Sequence, residues 1–564
     1  MLPVAARNVS SRALLPLQEE KKPLSSFTTV SSSSTSLLSP ATSPDMSCMH
    51  SFSSAEDRIA FDYFLKNALI AIQATAPTQE WIGPAMQHWH IKPVFYAMAA
   101  VGSSYRTLSR TIHHTLTRLI LLSDVEAAMW RYGKAVSALQ EYINDVADNA
   151  AAIEPVLISS MMLVSYELMV NGRGTTALSH YQLGRKLSSQ KKQMASRKGK
   201  PRSSCSPELR DHLHAAFESE NLGRGGKLYL NELETFATSS SRYSQSVPSF
   251  QPQYHFASPI EADVHLEVVV RRAEAVRNRM VDLALNHVKR IKGRLPSDRT
   301  GDFCLANCIS RTIDLPKDLQ RDLEDIIQAH VSWLAGFRRN HKAREDTASD
   351  PISLLTQVRY FASWLIVSTC RETKEILVDR FETEFVRTLD RAEEYLRNVS
   401  SEEQPRPTPP PHMREAVGLS FEGGMLPALY LIACKSRSSV IRRRAIEVLT
   451  AASRQEGTFH SGVIGYLVGF VVEVEEERAA RALQQDTPTF SINNGLASHQ
   501  LPEEARFSDC VIDSSPGWPP SFKMVFARYL HDWDDKRVEI TQYCGQRSPV
   551  DLRLESRIVY DCSP

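Results

Sequence analysis

The chain has 564 residues, 42% of them hydrophobic and 23% charged, so it is long enough for about two or three globular domains and has the composition of a folded protein. Its 66 basic and 65 acidic residues give a net charge of +1, which excludes a uniformly basic surface for nucleic acid or for an anionic membrane. The longest apolar run, Gly462 to Val472, is shorter than the ~18–20 residues that a membrane-spanning helix needs.

The first 54 residues are rich in serine and low in complexity. The run "SSFTTVSSSSTSLLSPATSP" cannot bury enough apolar surface to offset the loss of chain entropy on folding. The start of the chain contains Arg and Ser and has no acidic residue before Glu19, which gives it a weak likeness to a mitochondrial presequence. Pro3 and Pro16 argue against that interpretation. We therefore expect residues 1–54 to be a disordered tail.

Helical spacing of apolar residues begins after the tail and predicts a helical part over residues 55–187. The first apolar stripe consists of Phe61, Phe64, Leu65, Ala68, Leu69 and Ile72. Further helical patterns follow in "HIKPVFYAMAAVGSSY", "EAAMWRYGKAVSALQEYI" and "IEPVLISSMMLVSYELMVNGRG". In the last of these, Pro155 suits the first turn of a helix, and Gly172 and Gly174 suit its end.

Residues 188–254 have the composition of a basic and polar linker with a short helix. The stretch "SSQKKQMASRKGKPRSSCSP" and the cations just before it are typical of a bipartite nuclear-import signal, and a plain solvated linker is the alternative. Any DNA contact made by this stretch would be non-specific and sensitive to salt. The predicted import residues are Arg185, Lys186, Lys191, Lys192, Arg197, Lys198, Lys200 and Arg202.

The rest of the chain also has mainly helical patterns. They predict a helical middle part over 255–400, then a proline-rich break, "QPRPTPPPH". A C-terminal helical part follows over 413–564, with a polar loop at 484–520 and one or two short strands near Arg553 to Tyr560. Because strand signals are otherwise sparse, we predict an all-α fold with many helices, a disordered N-terminal tail and polar linkers between helices.

The helix "KSRSSVIRRRAIEVLTAASRQEG" carries three adjacent arginines, Arg442 to Arg444. Ser438 or Ser439 is suited to the N-cap and Gly457 to the C-terminal end. Arg443 points away from the apolar stripe and lies one helical step from Glu447. Cations in a first turn oppose the helix dipole, so we expect an acidic partner, most readily the run Glu473 to Glu477. The apolar stripe consists of Ile441, Ala445, Val448, Leu449 and Ala452.

The sequence shows none of the common catalytic or phosphate-binding motifs. It has no P-loop, no dinucleotide-binding glycine motif, no nucleophile elbow and no zinc-protease motif. His88 and His90 are spaced as a metal pair but lack a third ligand. Residues 221–232 resemble a calcium loop, yet Gly223 and Gly225 would offer no side-chain oxygen. We therefore predict no catalytic residue, cofactor or metal.

Four stretches, in order, resemble the fungal-specific transcription factor domain, the helical region of fungal zinc-cluster regulators. "RIAFDYFLKNAL" is similar to its opening helix, and "AVGSSYR" and "YGKAVSALQEYI" to its small-residue helix and its Tyr-x-x-Ala-x-x-x-Leu pattern. "LVSYELMVNGRGTTALSHYQLGRKL" resembles the helix ending in Glu-x-x-x-Gly-Asn, followed by Ala-x-x-His-x-x-x-Gly at Ala177, His180 and Gly184. The resemblance spans roughly residues 55–480. Matches to the family's late motif are Pro427, Cys434, Arg437, Ile441, Arg442, Ala445, Leu449, Arg454, Glu456 and Gly457.

The resemblance does not extend to the DNA-binding module of that family. Family members usually begin with six closely spaced cysteines that bind two zinc ions. Of the 9 cysteines in this chain, only Cys48 precedes residue 205. Sequence-specific DNA binding by this chain is therefore not predicted. Either the protein works without the module, or the gene model has lost its first exon.

The resemblance implies a nuclear transcription regulator, not an enzyme, that acts through a helical regulatory domain and controls a metabolic or secondary-metabolite gene cluster. Its partners would be other transcription-regulatory proteins or a second copy in a homodimer, with a small effector as a further ligand and no membrane contact. One alternative is an all-α biosynthetic enzyme, for which the nearest metal motif, "HDWDD" at His531 to Asp535, lacks a second partner motif. The other alternative is a cytosolic helical scaffold, in which the basic stretch is only a linker.

Overall fold

The protein is mostly helical, with a small antiparallel sheet near its C-terminal end, as a computed structural model shows. The helical part of the predicted fold is confirmed, and a purely all-α fold is wrong. The predicted tail and the predicted linker at 188–254 lie outside the described residues, except for residues 53, 54 and 254. The structure describes residues 53–69, 71, 86–113, 122–145, 153–170, 179–180, 183, 254–292, 299–342, 350–401, 418–420, 424–456, 459–483, 501–515, 521–530, 537–546 and 552–562.

The first helical group is built around the second helix, which contacts the other three. Ser54 caps the first helix in a capping box with Asp57, and the helix continues into a π-helical turn over Phe64–Ala68. The predicted stripe is buried at Phe61, Phe64 and Ala68. The helices described in this group are α1 Ala55–Tyr63, α2 Lys92–His113, α3 Leu122–Asp145 and α4 Ile153–Val170.

The second helical group follows residue 254 and contains a large hydrophobic cluster, which joins its last five helices. The start of α8 shows how the chain fixes these helices: the Asp350 side chain accepts a 2.9 Å hydrogen bond from the Ser353 amide, and Pro351 occupies the first turn. A 3₁₀ helix, Glu375–Phe381, precedes α9. The helices are α5 Pro259–Lys292, α6 Arg299–Ser310, α7 Lys317–Lys342, α8 Pro351–Thr369, α9 Glu382–Ser401, α10 Leu426–Lys435, α11 Ser439–Ala451 and α12 Ser461–Leu483.

Two sheets accompany the second group. A small one joins three very short strands, with the first two parallel and the last two antiparallel. The larger one is fully antiparallel, and its strand order follows the chain order. The short strands are β1 Gly418–Ser420, β2 Arg454–Glu456 and β3 Phe459–His460. The strands of the larger sheet are β4 Asp509–Ser515, β5 Ser521–Leu530, β6 Arg537–Gln546 and β7 Arg553–Asp561.

The larger sheet carries helices on both of its faces. Val525 and Ala527 belong to a cluster with α5 and α6, whereas their neighbours Met524 and Phe526 belong to the cluster that contains α8 to α12. Because both faces are covered, β5 has the continuous apolar run "MVFA" instead of an alternating pattern.

Within the predicted helical part over 413–564, residues 509–515, 521–530 and 537–546 form strands, so the helical prediction is wrong there. The polar loop predicted at 484–520 contains a 3₁₀ turn and β4. The short strand predicted near Arg553 to Tyr560 is confirmed as β7.

Candidate functional site

Helix α11 turns its predicted apolar stripe into the core. Ser438 occupies the N-cap position, as predicted, although its side chain makes no capping hydrogen bond. The chain leaves the helix after Ala451 through Ser453, whose φ of 44° lies in the left-handed region. The prediction that Gly457 ends the helix is therefore wrong. The buried stripe residues are Ile441, Ala445, Val448 and Leu449.

Arg442 forms a fully buried ion pair. Its Nη2 donates to Oε2 of Glu475 over 2.5 Å, and its Nε donates to the carbonyl of Ala433 over 3.0 Å. The side chains of Arg442 and Glu475 are each 1% exposed. The other carboxylate oxygen of Glu475 accepts the backbone N–H of Phe507 over 2.7 Å. The pair thus joins α10, α11, α12 and the residue that leads into the larger sheet.

The other two arginines of the run are also held by carboxylates. Arg443 donates to Glu476 over 2.8 Å, so its partner is on α12 and is not the predicted Glu447. Arg444 donates to Glu393 and to Asp390 on α9, and these hydrogen bonds raise its pKa. The predicted pairing with the run from Glu473 to Glu477 is confirmed for two of the arginines and wrong for Arg444.

A second buried charge cluster surrounds Glu375. Its carboxylate accepts from Lys435 over 2.9 Å and from Arg311 over 3.1 Å, and its backbone carbonyl accepts from Arg506. Lys435 and Arg311 both also donate to the carbonyl of Ser508. Burial alone would raise the pKa of Glu375, but the cations outweigh burial and lower it. The cluster ties the 3₁₀ helix to α10, to the turn after α6 and to the entry of the larger sheet.

Glu456 caps the start of α10 from a distance in sequence. Its carboxylate accepts the backbone N–H groups of Gly424, Met425 and Leu426 over 2.9, 3.2 and 2.9 Å. Arg454 forms an ion pair with the same carboxylate. A carboxylate suits this place because the first amides of a helix have no partner within the helix and carry partial positive charge. A Cβ at Gly424 would lie 2.6 Å from Oε1 of Glu456, so the cradle requires glycine there.

Glu539, on β6, gathers three arginines. It accepts from Arg528 of β5 over 2.9 Å, from Arg478 of α12 over 3.0 Å and from Arg557 of β7 over 2.6 Å. Its side chain is 1% exposed. Burial raises the pKa of this carboxyl, but the hydrogen bonds and charges of the arginines prevail and lower it to about 2. Glu539 is therefore ionised at neutral pH, where it joins α12 to three strands.

A polar cluster in the first helical group brings together residues from separate motif stretches. The hydroxyl of Tyr132 lies 2.8 Å from Nε2 of His180 and is also hydrogen-bonded to Glu167. A phenol can donate one hydrogen bond and accept others, so the Tyr132 hydroxyl can engage both partners at once. The ring of Tyr132 stacks on that of Tyr166, with centroids 4.6 Å apart.

Burial sets the protonation of this cluster. It lowers the pKa of His180 to about 4, so the imidazole is neutral at physiological pH. Burial and, after it, Glu167 raise the pKa of Tyr132, so the phenol keeps its proton. The Tyr166 hydroxyl is buried and has no hydrogen-bond partner among the described residues.

The remaining predicted sites either lie outside the described residues or form no site in the structure. The import residues from Arg185 to Arg202, the calcium-like loop 221–232 and the motif His531 to Asp535 lie outside the described residues. His88 ends a 3₁₀ turn, where burial lowers its pKa, and His90 is exposed. Within the described ranges, no group of at least three His, Cys, Asp or Glu side chains could hold a metal ion.

Comparison with known proteins identifies no relative. No family model, curated protein or solved structure matches the chain. In the part of the chain that the structure covers, no helix is both long and apolar enough to cross a membrane. The resemblance to the fungal transcription factor domain therefore remains a prediction that depends on the motif residues.

Proposed function

We propose that this protein is a nuclear transcription regulator that acts through its helical domain and controls a metabolic or secondary-metabolite gene cluster. The observation that carries the proposal is the contact between residues of separate motif stretches. Tyr132, Glu167 and His180 each belong to a stretch that resembles the fungal transcription factor domain, and they meet in one hydrogen-bonded cluster. Such contact is expected if the stretches are parts of one domain.

The late motif supports the same proposal. Arg442 is buried against Glu475, and Arg454 and Glu456 together hold the first turn of α10. At these buried positions, the side chains need their charge to form the ion pairs and their length to reach their partners. The spacing of the late motif thus has a physical reason in this fold.

The arginine run favours action through protein contacts over direct contact with DNA. Each of its three guanidinium groups is engaged by at least one carboxylate, so none is displayed alone for a phosphate. We propose that the domain instead contacts other transcription-regulatory proteins or a second copy of itself. Regulation would then depend on which helical faces are available to a partner.

We further propose that a small effector binds near Tyr166. The support is its buried hydroxyl, which lacks a hydrogen-bond partner within the described residues. A buried donor without an acceptor costs about 1–3 kcal/mol, so an effector that supplies an acceptor gains that amount on binding. The neighbouring Tyr132 links such an effector to α3 and α4.

Imaging of a fluorescent fusion of the full chain tests the nuclear part of the proposal. The wild-type fusion should concentrate in the nucleus. Alanine at Lys191, Lys192, Arg197 and Lys198 should return it to the cytoplasm, because import receptors recognise clustered cations.

The matched control removes the same number of exposed cations elsewhere in the chain and should leave the fusion nuclear. Exclusion of the wild-type fusion from the nucleus would refute the localisation. Equal loss in both variants would show that total charge, not the basic stretch, directs the protein. The control residues are Lys66, Lys92, Arg387 and Arg481, whose side chains are 63%, 46%, 59% and 71% exposed.

A further inference from the structure

Strand β7 is the edge of the larger sheet among the described residues. It pairs with β6 on one side only, and its apolar side chains reach into solvent. Leu554, Ile558 and Val559 are 58%, 43% and 48% exposed. An edge with unpaired backbone groups and exposed apolar side chains is a template for another strand.

The bulge of this strand is confined to its first half. Leu554 lies opposite Tyr543, and Ser556 lies opposite Gln542, so Glu555 is the extra residue. From Ser556 to Asp561 the register with β6 is regular. The second half of β7 is therefore the part that can accept a further strand without a change of register.

The side chains of this regular half alternate between the two faces of the sheet. Ile558 and Tyr560 lie opposite Ile540 and Val538, on the face that packs against α5 and α6. Arg557, Val559 and Asp561 lie on the other face, where Arg557 bonds Glu539. The strand thus offers two apolar positions on one face, and a cation, an apolar residue and an anion in alternation on the other.

We propose that β7 pairs with β7 of a second copy of this chain, antiparallel and around a two-fold axis at Val559. Arg557 then faces Asp561 of the partner subunit, and the partner subunit's Arg557 faces Asp561. Ile558 faces Tyr560 of the partner subunit on the other face. The two four-stranded sheets become one sheet of eight strands across the dimer.

The charges of β7 select this register over its neighbours. An axis at Arg557 would place two arginines opposite each other, which is unfavourable between directly facing residues. An axis at Ile558 would leave Arg557 facing Val559 and gain no ion pair. The axis at Val559 gives two Arg–Asp pairs by symmetry. The side chain of Arg557 is still 58% exposed while it bonds Glu539, so it remains accessible to a partner's carboxylate.

In the proposed register, Val559 lies opposite Val559 of the partner subunit, so substitutions at this position test the register. The full-length chain is examined by sedimentation velocity across a range of concentrations. Val559→Lys places two lysines opposite each other at the axis and should weaken the dimer about tenfold, whereas the wild-type chain dimerises. An equimolar mixture of Val559→Lys and Val559→Glu should restore dimers, because lysine then faces glutamate. The matched control is Leu554→Lys, on the same strand but outside the paired half, and it should dimerise like the wild type.

Each contrary result overturns the proposal. A wild-type chain that stays monomeric at every concentration has no such interface. Unchanged dimerisation of Val559→Lys places the interface elsewhere, and loss of the dimer in Leu554→Lys excludes the register. Thermal denaturation of each variant checks that the monomer is folded. We expect it to be, because both substituted positions are exposed. The measurement uses purified protein, so its result is independent of the proposed regulatory function.

Discussion

Replacement of Arg442 by alanine should be among the most damaging single changes in helix α11. The change removes a guanidinium that is 1% exposed and leaves Glu475, also 1% exposed, without its cation. It also removes the hydrogen bond to the Ala433 carbonyl. Glu475 keeps only the amide of Phe507 among its described hydrogen bonds.

The magnitude follows from burial. Removing one partner of a buried ion pair costs about 3–5 kcal/mol, because the remaining charge stays desolvated. The neighbouring Arg443 provides the matched control: its side chain is 36% exposed, and it makes one ion pair with Glu476. An exposed pair contributes about 0.2–1 kcal/mol, so Arg443→Ala should cost roughly that amount. The two alanine variants should therefore differ by at least about 2 kcal/mol.

Urea unfolding of the full-length chain, followed by tryptophan fluorescence, measures this difference. Trp364 packs against the hydrophobic cluster that contains α11, so its fluorescence reports on this region. The double variant Arg442→Met with Glu475→Leu should recover much of the lost free energy of unfolding, because it leaves no buried charge unpaired. Equal destabilisation by Arg442→Ala and Arg443→Ala would refute the reasoning.

Three further changes test other parts of the structure. Gly424→Ala should destabilise the fold by about 1–3 kcal/mol in thermal denaturation, because its Cβ would displace the capping carboxylate of Glu456. The control is Gly469→Ala, whose Cβ meets nothing within 4 Å and which should be neutral or stabilising. Burial opposes the ionisation of Glu539, but the arginines lower its pKa from 4.5 to about 2. Ionised Glu539 should therefore add about 1–2 kcal/mol, after screening, to the free energy of unfolding. This stabilisation should be complete above pH 4.5 and lost as the pH falls toward 2. Urea unfolding across that range should show this slope, and Glu539→Gln should remove it. Tyr132→Phe should cost about 1–3 kcal/mol in the same assay, because the buried Glu167 and the half-buried His180 both lose the Tyr132 hydroxyl.

Local pattern was sufficient to predict most of the helices. Four of the five stripe residues of α11, and Phe61, Phe64 and Ala68 of the first stripe, are buried as their spacing indicates. The partner of Arg442 could also be anticipated, because Glu475 lies on the next helix along the chain. Arg444 was assigned to the wrong helix, since its partners Glu393 and Asp390 lie about fifty residues earlier and only the packing of α9 brings them near.

The larger sheet was missed because its strands lack the usual signal. Strands with one covered face alternate apolar and polar residues, but β5 is covered on both faces and has a continuous apolar run. Tertiary contacts decide other features as well. The carboxylate of Glu456 caps a helix about thirty residues earlier in the chain, and no local pattern indicates that role. One feature of the sequence pointed to the contact of Tyr132 with His180: both belong to stretches that resemble the fungal transcription factor domain.

A tethered reporter assay tests the central claim most directly. The full-length chain is fused to the DNA-binding domain of an unrelated protein and directed to a reporter gene. The proposal predicts that the fusion changes reporter output several-fold relative to the DNA-binding domain alone, that Arg443→Ala preserves this effect and that the destabilised Arg442→Ala loses it. Reporter output indistinguishable from that of the DNA-binding domain alone, with the wild-type fusion folded and nuclear, would contradict the claim that this protein regulates transcription.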